Sequence, residues 1–96
     1  MALETLHFDA ATHLVDPKAQ AELLTDALDT GDASYIANAL GTIARARGMA
    51  KVARDAGVTR ASLYKALSSE GDPQLTTLLG VIKALGIKLT AQPISG

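Results

Sequence analysis

Glycine punctuates this sequence at Gly31, Gly48, Gly57, Gly71 and Gly86, and the stretches between carry apolar side chains three and four residues apart. That spacing is the signature of helices with one buried face. Segments of about two to four turns, each ended by a residue that tolerates positive φ, leave little choice but a stack of short helices. Asp16-Pro17 reads as one start, an N-cap acceptor followed by a proline whose missing N–H costs nothing at the first position. Leu23, Leu24, Ala27 and Leu28 then share a face until Gly31. Asp32 caps the next helix, lined by Ile36, Ala39, Leu40 and Ile43. Two short segments follow, 50–56 and 60–68, around Gly57-Val58-Thr59. After the break at Gly71-Asp72-Pro73, the stripe Leu75, Leu78, Leu79, Ile82 and Leu85 runs to Gly86. Ile87, Leu89 and Ala91 alternate with Lys88 and Thr90, the period of a short strand. Residues 1–15 read as an arm with one helical turn capped by Asp9. The expected class is all-α.

Composition excludes several alternatives. With 96 residues the chain is one domain at most. Hydrophobic residues make up 48% and mean hydropathy is +0.18, too apolar for a disordered chain. No apolar run approaches the ~18 residues of a membrane span, and no signal peptide is expected. The absence of cysteine removes disulfides and thiolate metal sites and fits a cytoplasmic protein. His7 and His13 have no helical i, i+4 partner, so no metal site is expected. Nucleophilic catalysis needs a serine or threonine beside a histidine that a third group holds, and both histidines fall in the first 13 residues, so no enzyme and no cofactor is expected.

Charge is segregated. Residues 1–44 carry Glu4, Asp9, Asp16, Glu22, Asp26, Asp29 and Asp32 against Lys18 alone. Residues 45–65 carry Arg45, Arg47, Lys51, Arg54, Arg60 and Lys65 against Asp55. Residues 66–96 balance Glu70 and Asp72 with Lys83 and Lys88. Such asymmetry implies two surfaces for two partners, a polyanion and a basic protein.

The basic segment contains a pattern with a steric reason at each position. Ala53 is small where two helices cross steeply, Gly57 supplies the turn, and Val58 plugs the core beneath it. Thr59 caps the second helix by accepting from the Ser62 N–H, and Leu63 and Leu67 point inward. Arg60, Ala61, Tyr64 and Lys65 are left outside. This is the pattern of a helix-turn-helix whose second helix enters the major groove of DNA. Arg60 and Lys65 are the candidate base readers, with Ala61 leaving room for a thymine methyl. Lys51, Arg54, Thr59, Ser62 and Tyr64 are the candidate backbone contacts.

The following run, Ser68-Ser69-Glu70-Gly71-Asp72-Pro73-Gln74-Leu75 through Ile82-Lys83-Ala84-Leu85-Gly86-Ile87, resembles the tail of the phage-repressor (Cro and XRE-type) helix-turn-helix domain. There a proline turn precedes a helix ending in Ala-Leu-Gly. Met49, Ala50 and Lys51 stand where such domains commonly place a phosphate-binding glutamine, and Ala66 is smaller than the usual branched residue. The whole chain is similar, more specifically, to the addiction-module antidote family of HigA-like antitoxins. The likeness rests on Asp9 with Leu14, Gly31-Asp32, Ala39-Leu40-Gly41, Ala44-Arg45-Ala46-Arg47-Gly48-Met49, Ser62-Leu63-Tyr64-Lys65-Ala66-Leu67 and Ala84-Leu85-Gly86. The resemblance implies a lambda-repressor-like bundle of about five helices, with an N-terminal helical extension. It divides the chain into an acidic arm and helix (1–31), a DNA-binding domain (32–90) and a tail (91–96). The implied function is a cytoplasmic autorepressor that binds operator DNA as a homodimer and neutralises a RelE/HigB-like toxin, with no membrane role. A phage-type repressor without a toxin and an interaction adaptor without DNA binding are the competing expectations.

Overall fold

A computed structural model of the chain describes residues 16–94. Among the described residues five helices follow one another: α1 (Pro17–Thr30), α2 (Ala33–Arg47), α3 (Met49–Ala56), α4 (Arg60–Ala66) and α5 (Leu75–Ala84). Local chemistry fixes their ends. The Asp16 side chain accepts from the Lys18 N–H at 3.1 Å, with Pro17 in the first position of α1. Gly31 closes α1 in the left-handed conformation, and Asp32 accepts from the N–H groups of Ser34 and Tyr35 to begin α2. These caps satisfy N–H groups that a helix start leaves open, each worth ~1 kcal/mol.

Every helix contributes to one core. Leu24 comes from α1, Leu40, Ile43 and Ala44 from α2, Met49, Val52 and Ala53 from α3, and Leu63 from α4; Leu67 follows α4, and Val81, Ile82 and Leu85 come from α5 and its end. Burying one leucine completely stabilises a fold by ~1.5–3 kcal/mol, so the five buried leucines are its main anchors. Helix α3 links the bundle, packing on α2, α4 and α5, while α1 packs on α2. Gly41 allows a close approach of α2 to the residue that follows α4: a Cβ there would lie 2.5 Å from the Leu67 carbonyl oxygen.

Two expectations are corrected. Residues 87–91 form no strand among the described residues. The chain leaves α5 through a left-handed Gly86, with the Ile87 N–H donating to the Ile82 carbonyl at 3.2 Å. A strand needs a neighbouring edge for its backbone groups, and the neighbour along α1 is a helix that offers none. The stripe of α5 is also not buried as a whole: Leu75 and Leu79 are exposed, while Val81, Ile82 and Leu85 face the core. Among the described residues no helix is long and apolar enough to cross a membrane. The expected turn at Asp9, the histidines at 7 and 13, and Phe8 and Leu14 lie outside the described residues.

Candidate nucleic-acid interface

Helices α3 and α4 are short, and the link between them is tight. Gly57 sits at φ 78° and its N–H donates to the Arg54 carbonyl at 3.2 Å, while the Val58 N–H donates to the Ala53 carbonyl at 3.0 Å. This paired closure ends α3 in a left-handed residue, a conformation that strains any side chain with a Cβ. It also places Val58 half-buried against the core, directly under the turn. Thr59 then starts α4, its hydroxyl oxygen accepting from the Ser62 N–H at 3.0 Å. Ala53 is buried at the crossing and Leu63 is buried beneath α4. With one face of α4 fixed inward, Arg60, Ala61, Ser62, Tyr64 and Lys65 are all exposed.

The exposed side chains are not independent. The Arg60 guanidinium carbon lies 5.8 Å from the Tyr64 ring centroid, one turn further along the helix. A guanidinium over an aromatic face is attracted by the ring's quadrupole, by ~0.5–1 kcal/mol at exposed sites. On α3, Lys51 Nζ lies 3.1 Å from Asp55 Oδ2, and Arg54 Nε lies 3.8 Å from Asp55 Oδ1. Both cations are well exposed, so these pairs hold geometry loosely and add little stability.

All eight candidate residues therefore fall on α3, α4 and the turn between them, with outward exposure. Two other cations of the basic segment do not join them. Arg47 donates a hydrogen bond to the Leu85 carbonyl at the end of α5, and Arg45 donates to Thr42 Oγ1 at 3.3 Å on its own helix. The Arg47 contact spans 38 residues, and no local pattern in the sequence announces it. The pairing of Asp55 with the cations of α3 is what sequence reasoning missed, and its i, i+4 spacing from Lys51 was the available signal. Among the described residues no cluster of acidic or histidine side chains is placed to hold a metal ion.

A family model described as "Probable addiction module antidote protein" matches residues 4–93. The chain belongs to this antidote family. A protein of Haemophilus influenzae, described only as uncharacterized, is 44% identical over 85 residues, covering 88% of each chain. No solved structure matches. Membership of an addiction-module antidote family implies a toxin as partner in general terms.

Proposed function

We propose that this antidote is a helix-turn-helix autorepressor as well as a toxin neutraliser, with no enzymatic activity of its own. In this reading the α3–α4 unit is that of a Cro/XRE-type, lambda-repressor-like domain, and the protein is a HigA-like antitoxin paired with a RelE/HigB-like toxin. The observation that carries it is the exposed outer face of α4, held out by buried Leu63 and a left-handed turn at Gly57. Its partner is operator DNA in the cytoplasm. Arg60 and Lys65 read base edges in the major groove, and Ala61 admits a thymine methyl. Lys51, Arg54, Thr59, Ser62 and Tyr64 hold the sugar-phosphate backbone and fix the register of α4. A single unit this small makes too few contacts for operator specificity, so two copies bind a palindrome with half-sites about 10 bp apart or a multiple of that. The toxin is neutralised through the acidic N-terminal part, residues 1–31, while residues 32–90 bind DNA.

Electrophoretic or fluorescence titration of Arg60→Ala against operator and random DNA tests the base-reading assignment. The variant should lose ~1–3 kcal/mol on the operator and discriminate less at one base pair, with its affinity for random DNA falling far less. Equal losses on both DNAs would remove Arg60 from the base-reading set. Failure of the chain to co-purify with the product of the adjacent gene would leave the DNA half standing and sink the toxin half.

A further inference from the structure

The outer face of α5 is apolar and is left uncovered by the described residues. Leu75 is 66% exposed and Leu79 50% exposed, and the two are four residues apart on one side of the helix. The same line continues to Lys83, which is exposed, and a shallow groove of Leu79, Ile82, Ile87 and Leu89 extends it beside Lys83 and Lys88. At the other end, exposed Asp72 lies two residues before the N-cap Gln74. Read along the helix, the face is acid, leucine, leucine, cation.

The geometry points to a second copy of this chain as the occupant, docked with its α5 antiparallel across a two-fold axis. A two-fold interface sets each patch against itself. The acidic surface of α1, with Glu22, Asp26 and Asp29, would meet its own charge, and so would the cationic face of α3 and α4. The segment from residue 66 onward carries Glu70 and Asp72 against Lys83 and Lys88, so it brings no net repulsion. The order of the stripe then selects the direction. Antiparallel docking sets Leu75 on Leu79 of the second copy and Asp72 beside its Lys83, and the reverse contacts follow by symmetry. Parallel docking would set Asp72 on Asp72 and Lys83 on Lys83. This deepens the dimer of the proposed function by naming its face. It is tested without DNA, so its failure and the failure of the DNA reading are separable.

Sedimentation equilibrium of the full chain at up to ~100 µM, with circular dichroism as the control for folding, provides the test. The wild type should run at the mass of two chains. Leu79→Arg changes one exposed side chain and should run as one chain with unchanged helicity, its dimer dissociation constant raised more than ~10-fold by a charge set into the apolar centre. Asp72→Lys and Lys83→Glu each convert both symmetry-related pairs to repulsion and should weaken the dimer ~2–20-fold. The double variant Asp72→Lys with Lys83→Glu restores opposite charges in the antiparallel register and should return to wild-type association. A wild type that stays at one chain overturns the proposal, as does a folded Leu79→Arg that associates normally. A charge-swapped double variant no better than its singles overturns the antiparallel register.

Discussion

At Gly41 the backbone of α2 comes so close to the Leu67 carbonyl that a single methyl group has no place, the clash distance being 2.5 Å. Alanine is the better helix former by ~1 kcal/mol, but overpacking costs ~1–3 kcal/mol when the obstacle is backbone. Gly41→Ala should therefore destabilise the fold by up to ~2 kcal/mol, read as a lower urea midpoint. A midpoint that rises would mean the Leu67 carbonyl yields freely and that propensity decides. Arg47 makes the opposite kind of contact. Its guanidinium donates to the Leu85 carbonyl at the C-terminal end of α5, where the helix dipole is negative and carbonyls lack intrahelical partners. The residue is exposed, so its worth falls below that of a buried charged hydrogen bond, to ~1 kcal/mol. Arg47→Ala should lower the melting temperature by ~4–8 °C. Operator affinity at 25 °C should stay the same, because this cation is turned toward α5. Lost operator binding in a folded Arg47→Ala protein would place the residue on DNA instead.

At the scale of elements, Asp55 tempers α3. It sits between Lys51 and Arg54, and in a complex with DNA it would oppose the phosphates those cations approach. Asp55→Asn should free both cations and remove a repulsive charge, tightening operator and random DNA alike by ~2–5-fold, the range of an exposed ion pair. The gain should shrink at high salt. Weaker binding by the variant would show that α3 is not on the backbone. Most of the helix ends were legible beforehand. Asp16-Pro17, Gly31-Asp32, Gly57 and Thr59 act through their nearest neighbours, and cap chemistry is local. Burial on α5 was less legible, because periodicity says which residues share a side but not how far the core extends. Leu79 is rotated roughly 100° from Leu78 and falls off the buried line, while Leu75 stands a turn ahead of the packed part. The alternation at 87–91 misled for a related reason: period two describes a strand only where another edge is present to pair with it. The candidate DNA residues could be named from sequence because Leu63 and Leu67 fix which side of α4 faces in. The engagement of Arg47 could not be, since it depends on two distant helix ends meeting.

Over the whole molecule, charge is distributed by surface as well as by segment. Glu22, Asp26 and Asp29, spaced four and three apart, make an exposed acidic line along α1. The cations of α3 and α4 lie on other helices, and α1 packs on α2 rather than on either of them. If the acidic line meets the toxin and α4 meets DNA, the two functions separate by mutation. The pair Arg60→Ala and Lys65→Ala alters exposed side chains and leaves Leu63 and Leu67 in the core, so helicity should be unchanged. That variant should lose operator binding while protecting cells from the toxin as well as the wild type does. Reversing the acidic line with Glu22→Lys, Asp26→Lys and Asp29→Lys should do the converse. Toxin affinity should fall by at least ~10-fold, less so at high salt, where the lost attraction was already screened. Operator retention should be kept, or slightly raised by the added positive charge. The decisive measurement is calorimetric titration of each folded variant with the purified product of the neighbouring gene. Full affinity in the charge-reversed protein would take α1 out of the contact and leave the segment 1–15, with Glu4 and Asp9, to test by deletion.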